Sequence, residues 1–392
     1  MYLGFTEEQE MIVESVRAFV EQELYPYEDE VERTNQIRPE LKDQIIQKAL
    51  EYGFYAANMP AEYGGGGLDA VSLVLMEREL GRANYGLQYL VARPSNILQA
   101  CKGEQIEKYL LPTIRGEKID CLAMTEPEAG SDVRSMKSKA ERQGDDYVIN
   151  GVKHFISHAD IADYVILFVT TGEKMTAKGP RNKISCFLVD IGTPGLTVQK
   201  GYEVVSHRGY HNCILQFDDC RVPAANILGE LHHGFDVANE WLASTRLSVA
   251  ATCLGRGYRA LELCQEWAAT RKQFGRAIGK FQGVSFKLAD MATELEAAEL
   301  LTLKAAWKLD NGTARDEDFA KAKLYSTEML ARLTDNAVQI FGGMGIANEF
   351  AIARMWRDAR VERIWDGTSE IQRHIISRAL LPNRLPIAKI GR

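Results

Sequence analysis

The chain changes its hydrophobic period twice, and that double change limits its architecture more than any single residue does. From Thr6 to about residue 120 apolar residues recur at helical spacing. From about 121 to 228 they fall in short β-branched and aromatic runs, and from about 229 onward the helical spacing returns. The expectation is an α+β protein with an N-terminal α-helical domain over 1–120, a central β-domain over 121–228 and a C-terminal α-helical domain over 229–392. At roughly 150 residues per domain, the 392 residues admit two or three domains. The periodicity selects three.

Local signals fill in the parts. Thr6 and Gln9 have capping-box spacing, and Met11, Ile12, Val16, Phe19, Val20 and Leu24 follow at helical intervals up to Pro26. Further amphipathic stretches cover 40–52, 71–81 and 106–111, with PAEYGGGGL reading as a loop. In the centre, DDYVING and VKHFIS read as two strands joined by a turn at Asn150-Gly151. YVILFVTT, ISCFLVDI, LTVQK and CILQFDD read as further strands. Long helices are expected over 235–265, 284–311, 316–341 and 371–380.

Composition removes whole classes of function. The net charge of −7 speaks against general nucleic-acid binding. Seven cysteines without a C-x-x-C pair make neither a disulfide scaffold nor a zinc site, and the histidines form no helical ligand pair, so no metal is expected. No G-x-S-x-G elbow is present. The start, MYLGFTEEQEM, lacks a basic stretch and an apolar run, and no segment is long enough to span a membrane. A cytoplasmic protein is expected.

Five clusters carry candidate chemistry. LAMTEPEAGSDV places Thr125, Glu126, Ser131 and Asp132 around small residues, offering hydroxyls and backbone N–H groups to a polar ligand, although an ordinary interdomain loop has the same composition. In VKHFISHAD, Phe155 and Ser157 share a strand face, an aromatic plate beside a hydroxyl that suits a flat ring such as a flavin; a half-buried edge strand is the plainer reading. RKQFGRAIGKFQ groups Arg271, Lys272 and Arg276 around Gln273 and Phe274, suited to a pyrophosphate or adenine, or else a solvated helix end. QIFGGMGIANEFAIARMWRD (339–358) is glycine-rich, but no strand precedes it, so the dinucleotide fingerprint fails and a break between helices remains. In RIWDGTSEIQR, Asp366 stands on a turn after a large aromatic and before a helix that Thr368 can cap. A carboxylate there has a raised pKa and can act as a base, or it is an exposed turn aspartate.

Taken in this order, the clusters resemble the flavin-dependent acyl-CoA dehydrogenase family over essentially the whole chain. The resemblance implies an N-terminal helical domain, a central β-domain and a C-terminal four-helix-bundle domain, with FAD as cofactor. It implies that Thr125 bonds the flavin pyrimidine edge, Ser131 lies at the phosphate region, Phe155 stacks on the isoalloxazine and Ser157 reaches its N5 edge. Arg271, Gln273, Phe274, Gln339 and Gly343 are similar to residues that bind the dinucleotide part of a neighbouring subunit's FAD, and Thr368 and Glu370 also touch FAD. For the substrate, the segment Tyr85–Gln99 resembles a helical wall of the acyl site. Gln88 falls where chain length or a polar tail is recognised, Arg93 either meets a substrate carboxylate or makes a structural salt bridge, and Arg246 lies near the CoA adenine. The implied activity is α,β-dehydrogenation of an acyl-CoA to the 2-enoyl-CoA, proton to Asp366 and hydride to flavin N5, in a homotetramer that passes electrons to an electron-transfer flavoprotein.

One position departs from the family. The base is usually a glutamate and here is Asp366, which withdraws the carboxylate by roughly 1.5 Å. The slot used by some relatives instead is Thr245, beside Ala243 and Ser244, so it offers no carboxylate. Three readings follow: a site reshaped around Asp366 and Trp365 for a branched or unusual acyl group, which we prefer; a nitroalkane-oxidase-like flavoenzyme, which lacks the T-S-E-I-Q continuation; or a weakly catalytic FAD/CoA binder.

Overall fold

The computed structural model describes residues 4–176 and 179–381; the end of the expected C-terminal domain, 382–392, lies outside them. The chain divides into two compact units, Met1–Ser244 and Thr245–Arg392.

The first unit opens with helices. α1 (Glu7–Phe19) starts on the expected capping box, with the Gln9 amide donating to Thr6 Oγ1 at 3.2 Å and Gln9 Oε1 accepting from the Thr6 amide at 3.1 Å. α2 (Glu28–Thr34), α3 (Pro39–Glu51), α4 (Ala70–Leu80), the single-turn α5 (Tyr85–Tyr89) and the short α6 (Leu111–Ile114) follow. α5 is a correction to the continuous wall expected over 85–99. Pro94 has no N–H to donate and pushes Arg93 out of helical geometry, so the chain resumes only as a 3-10 turn at Asn96–Ala100.

The sheet comprises β1 (Asp120–Ala123), β2 (Lys139–Gln143), β3 (Asp146–Ser157), β4 (Tyr164–Thr176), β5 (Gly179–Asp190), β6 (Leu196–Lys200), β7 (Asn212–Pro223) and β8 (Ile227–Leu228). Its order is β6-β7-β3-β2-β4-β5-β8, with β1 paired parallel to β4. Tyr164, Ile166 and Phe168 of β4 join the core made with the N-terminal helices, while Val165, Leu167 and Val169 fill the opposite face with residues of β3, β5 and β7. Both faces of β4 are therefore covered, which is why it reads as an uninterrupted apolar run.

The Asn150-Gly151 turn does not form. β3 runs straight through it, pairing with β7 on both sides, and the register shifts between Ile149 and Gly151. The Asn150 side chain is spent on Asp219, donating to its Oδ1 at 3.1 Å and accepting its amide at 2.8 Å. Gly151 serves close approach instead: at φ +149°, a Cβ built on it meets Ser138 Oγ at 2.2 Å.

The second unit is helical. α7 (Gly234–Thr270) runs into it and is followed by a small hairpin, β9 (Lys272–Gln273) and β10 (Arg276–Ala277). α8 (Gln282–Asp310), α9 (Asp316–Phe341), α10 (Ala351–Glu362) and α11 (Ser369–Leu380) complete it. Leu254 and Leu261 of α7, Met291 and Leu295 of α8, Met329 and Leu333 of α9, and Ile352 and Met355 of α10 share one core. The glycine-rich break is short: α9 ends on Gly342 at φ +64°, and α10 begins at Ala351. Among the described residues no helix is long and apolar enough to cross a membrane.

Candidate active site

In the first unit the loop after β1 is built around one buried ion pair. Thr125 leads into a tight turn in which Glu126 and Ala129 exchange backbone hydrogen bonds of 3.1 and 3.0 Å. The Glu126 carboxylate accepts from the amides of Lys137 (2.6 Å) and Ser138 (3.1 Å) and from Lys153 Nζ (2.7 Å). Lys153 is fully buried and also donates to the Met124 carbonyl at 3.0 Å. Burial pulls its ammonium down to about 8, with Glu126 opposing the shift. Burial also pushes the Glu126 carboxyl up, but Lys153 and the amides more than reverse this and leave it below its ordinary value. The pair fastens the loop to β3. The His154 amide completes the seam by donating to the Thr125 carbonyl at 3.1 Å. Ser131 lies exposed at the far end of this loop.

A second register shift of β3, between Lys153 and Ile156, decides where Phe155 faces. Phe155 takes φ +53°, costly for a bulky residue, and the extra residue turns its ring outward. Ile156 points into the core, while Phe155 is exposed and Ser157 half-buried. Phe155 remains 50% exposed, flanked by His154 and Tyr202 with centroids 4.6 and 4.9 Å away. An aromatic face held open on a strained bulge, next to the pinned Thr125 loop, fits a flat ring with a polar edge.

Gln88 and Arg93 part company. Gln88 is 2% exposed and its Oε1 has no hydrogen-bond partner among the described residues. Arg93 is already committed. Its guanidinium meets the Asp120 carboxylate and the Tyr89 hydroxyl and donates to the Asp120 carbonyl at 2.8 Å. Burial pulls Arg93 down, but Asp120, Tyr89 and other partners more than compensate. Its substrate role is therefore corrected to the structural pair, because a buried carboxylate requires that cation.

In the second unit Asp366 occupies the turn between α10 and α11. It adopts φ +50° and Gly367 φ +90°, left-handed geometry that aspartate tolerates better than most residues. The turn is held from several sides. Lys323 Nζ donates to the carbonyls of Trp365 (2.6 Å) and Gly367 (2.7 Å), and Gln372 Nε2 to those of Asp366 (3.2 Å) and Gly367 (2.9 Å). Trp365 Nε1 donates to Glu362 Oε2 at 2.8 Å, and Arg256 holds the other Glu362 oxygen at 2.6 Å. The indole rests on Val249, Cys253, Leu330 and Ala359. Burial is the main cause that pushes the Asp366 carboxyl up to about 6; Glu362 adds to the rise, while Lys323 and Arg246 oppose it. The amide of Asp366 makes no hydrogen bond among the described residues.

The other residues of this unit divide by exposure. Arg271, Gln273, Phe274, Gln339, Gly343 and Glu370 are exposed, and Phe274, at the tip of the β9–β10 hairpin, is 93% exposed. Nothing lies within 4 Å of a Cβ built on Gly343, so a ligand's phosphates can approach its backbone. Thr368 caps α11, accepting the Ile371 amide at 3.3 Å, and its side chain also hydrogen-bonds the Glu370 carboxylate. Arg246, expected near a CoA adenine, is 8% exposed; burial lowers its pKa, and Asp316 and Asp366 oppose the shift.

Lys153, Lys323, Glu362, Arg256 and Gln372 were not singled out from the sequence. Lys323 was within reach: it follows Phe319 by four residues and precedes Leu330 by seven on the buried stripe of α9. Lys153 was hidden, because the register shifts of β3 disturb the alternation that marks an inward position.

Known proteins match the chain over nearly its whole length. The profiles of the acyl-CoA dehydrogenase N-terminal, middle and C-terminal domains match residues 6–117, 121–220 and 232–381. A 3-(aryl)acrylate reductase of Clostridium sporogenes is 38% identical, covering 96% of this chain and 99% of the relative. A probable acyl-CoA dehydrogenase of Bacillus subtilis is 39% identical (97% and 100% covered), and the Caffeyl-CoA reductase-Etf complex subunit CarC of Acetobacterium woodii 37% (96% and 99%). Among solved structures, butyryl-CoA dehydrogenase from Megasphaera elsdenii superposes with a TM-score of 0.89 at 35% identity, covering 97% of this chain and 100% of that one. An FAD complex of PigA gives 0.88 at 30% identity, covering 97% and 99%.

Proposed function

The chain belongs to the acyl-CoA dehydrogenase family, and from that premise we propose that it dehydrogenates an acyl-CoA thioester between Cα and Cβ with Asp366 as the base. It is an oxidoreductase, and FAD is its cofactor. When bound, FAD supplies the hydride acceptor. The residues present fit it: the open Phe155 ring for the isoalloxazine, Thr125 and Ser157 for its polar edges and Ser131 for the phosphate region. Thr368, Glu370 and the exposed set Arg271, Gln273, Phe274, Gln339 and Gly343 remain for the dinucleotide part, the last five as a neighbouring subunit's share in a homotetramer.

The observation that carries the reading is Asp366 on a left-handed turn whose carbonyls are pinned by Lys323 and Gln372, with burial pushing its carboxyl up to about 6. A carboxylate so placed takes the α-proton, and its pKa lies close enough to neutrality for efficient transfer. The unspent amide of Asp366 donates to the thioester carbonyl as charge develops on its oxygen, the term that contributes most in such sites. The Gln88 Oε1, without a partner among the described residues, selects among acyl groups that carry a donor.

A second direction is favoured by two of the relatives, which are named as reductases. A carboxyl near 6 gives up a proton about as readily as it takes one, so the same residue protonates Cα of an enoyl thioester. The electron partner sets the direction, and an electron-transfer flavoprotein fits both. The test is anaerobic titration of the yellow holoprotein with straight, branched, cyclic, carboxylated and aryl acyl-CoA esters. Bleaching by one class is expected. A protein that takes up no FAD, or one that ignores every ester but consumes oxygen with a nitroalkane, contradicts the reading.

A further inference from the structure

Lys323 is a lysine where a lysine is costly. It lies on the buried stripe of α9, is 1% exposed, and makes no direct ion pair among the described residues. Its ammonium instead donates to the carbonyls of Trp365 and Gly367, the two that flank Asp366. The Asp366 carbonyl is taken by Gln372, so three successive carbonyls of the left-handed turn are held by side chains of α9 and α11. Burial pulls the Lys323 pKa down, and the largest opposing influence is the Asp366 carboxylate. Reciprocally, Lys323 is the strongest influence opposing the rise of Asp366. The other charges facing Asp366 are Glu362 from α10, already paired with Arg256, and Arg246 from α7.

We propose that Lys323 is the positioning residue of the base: it fixes the turn through the two flanking carbonyls and is the buried countercharge that keeps the Asp366 carboxylate ionised. This rests on the reading of Asp366 as the base. A neutral donor in its place holds the turn but removes the countercharge, so Asp366 stays protonated to higher pH. The dehydrogenation then loses its acceptor for the α-proton without losing FAD or the fold.

Infrared difference spectra of the holoprotein, with Asp366→Asn as the reference, isolate the Asp366 carboxyl band and titrate it without substrate or turnover. The wild type is expected to protonate near the pKa of about 6. Lys323→Gln keeps N–H donors and loses the charge, and is expected to protonate at least about one pH unit higher. Lys323→Arg keeps the charge and is expected to stay within about half a unit of the wild type. An unshifted Lys323→Gln, or an Arg variant that shifts as far as the Gln variant, overturns the proposal. Should Lys323→Gln alone fail to fold, the double variant with Asp366→Asn is expected to be recovered as folded holoprotein, since neither buried charge is then left alone. Its failure to fold also overturns the proposal. If Asp366→Asn still bleaches with an acyl-CoA, the assignment of the base fails, while the titration coupling between the two side chains stands or falls separately.

Discussion

Asp366, proposed as the base in place of the family's usual glutamate, stands on a left-handed turn. A left-handed φ suits aspartate, whose short side chain tolerates that region, and would strain a glutamate. Asp366→Glu advances the carboxylate by roughly 1.5 Å. It is expected to lower kcat on the order of a hundredfold with FAD still bound, as measured by turnover and flavin absorbance. A kcat at or above the wild-type value would mean that the site is still shaped for glutamate. The pH dependence separates the two directions of reaction. Dehydrogenation needs the ionised carboxylate, so its kcat/KM should fall about tenfold per unit below the Asp366 pKa of about 6. Enoyl reduction needs the protonated form and should fall above it. A pH–rate profile flat from 5 to 8 in both directions would remove Asp366 from the proton step.

At the level of elements, β3 and α9 each place a buried lysine beside residues of the proposed site. Lys153 binds the Thr125 loop to β3 through Glu126. Replacing it with methionine leaves Glu126 buried with amides but no cation, an expected cost of about 3 kcal/mol. Denaturant midpoints should fall, and FAD should be retained less well because Thr125 and Phe155 no longer share a fixed frame. Unchanged stability and FAD content would reduce the pair to a bystander. These elements also show what the sequence could reveal. The capping box at Thr6, the strands of β4 and β5 and the long helices rest on local chemistry and appear where their patterns place them. The Asn150-Gly151 turn misled because the same dipeptide serves close packing, and only Ser138, brought alongside by the fold, distinguishes the two uses. Arg93 makes the structural salt bridge that was preferred for it, but its partner Asp120 lies 27 positions away and becomes visible only in three dimensions.

For the whole molecule, periodicity and motif order were enough for the α, β, α sequence of parts and for the family. The raised carboxyl at Asp366 was also foreseeable from a turn beside an aromatic. The network that holds it was not, since Lys323, Gln372, Glu362 and Arg256 come from four helices whose convergence no local pattern encodes. In the proposed acyl wall, Gln88 Oε1 is one of the buried polar atoms without a partner among the described residues. Everything downstream depends on whether Asp366 moves the proton. The most direct measurement is anaerobic mixing of wild-type and Asp366→Asn holoprotein, side by side, with the acyl-CoA that bleaches the wild type. The Asn variant is expected to bind FAD and ester normally and to bleach slower by on the order of 10²–10⁴-fold. Bleaching at the wild-type rate would contradict the account.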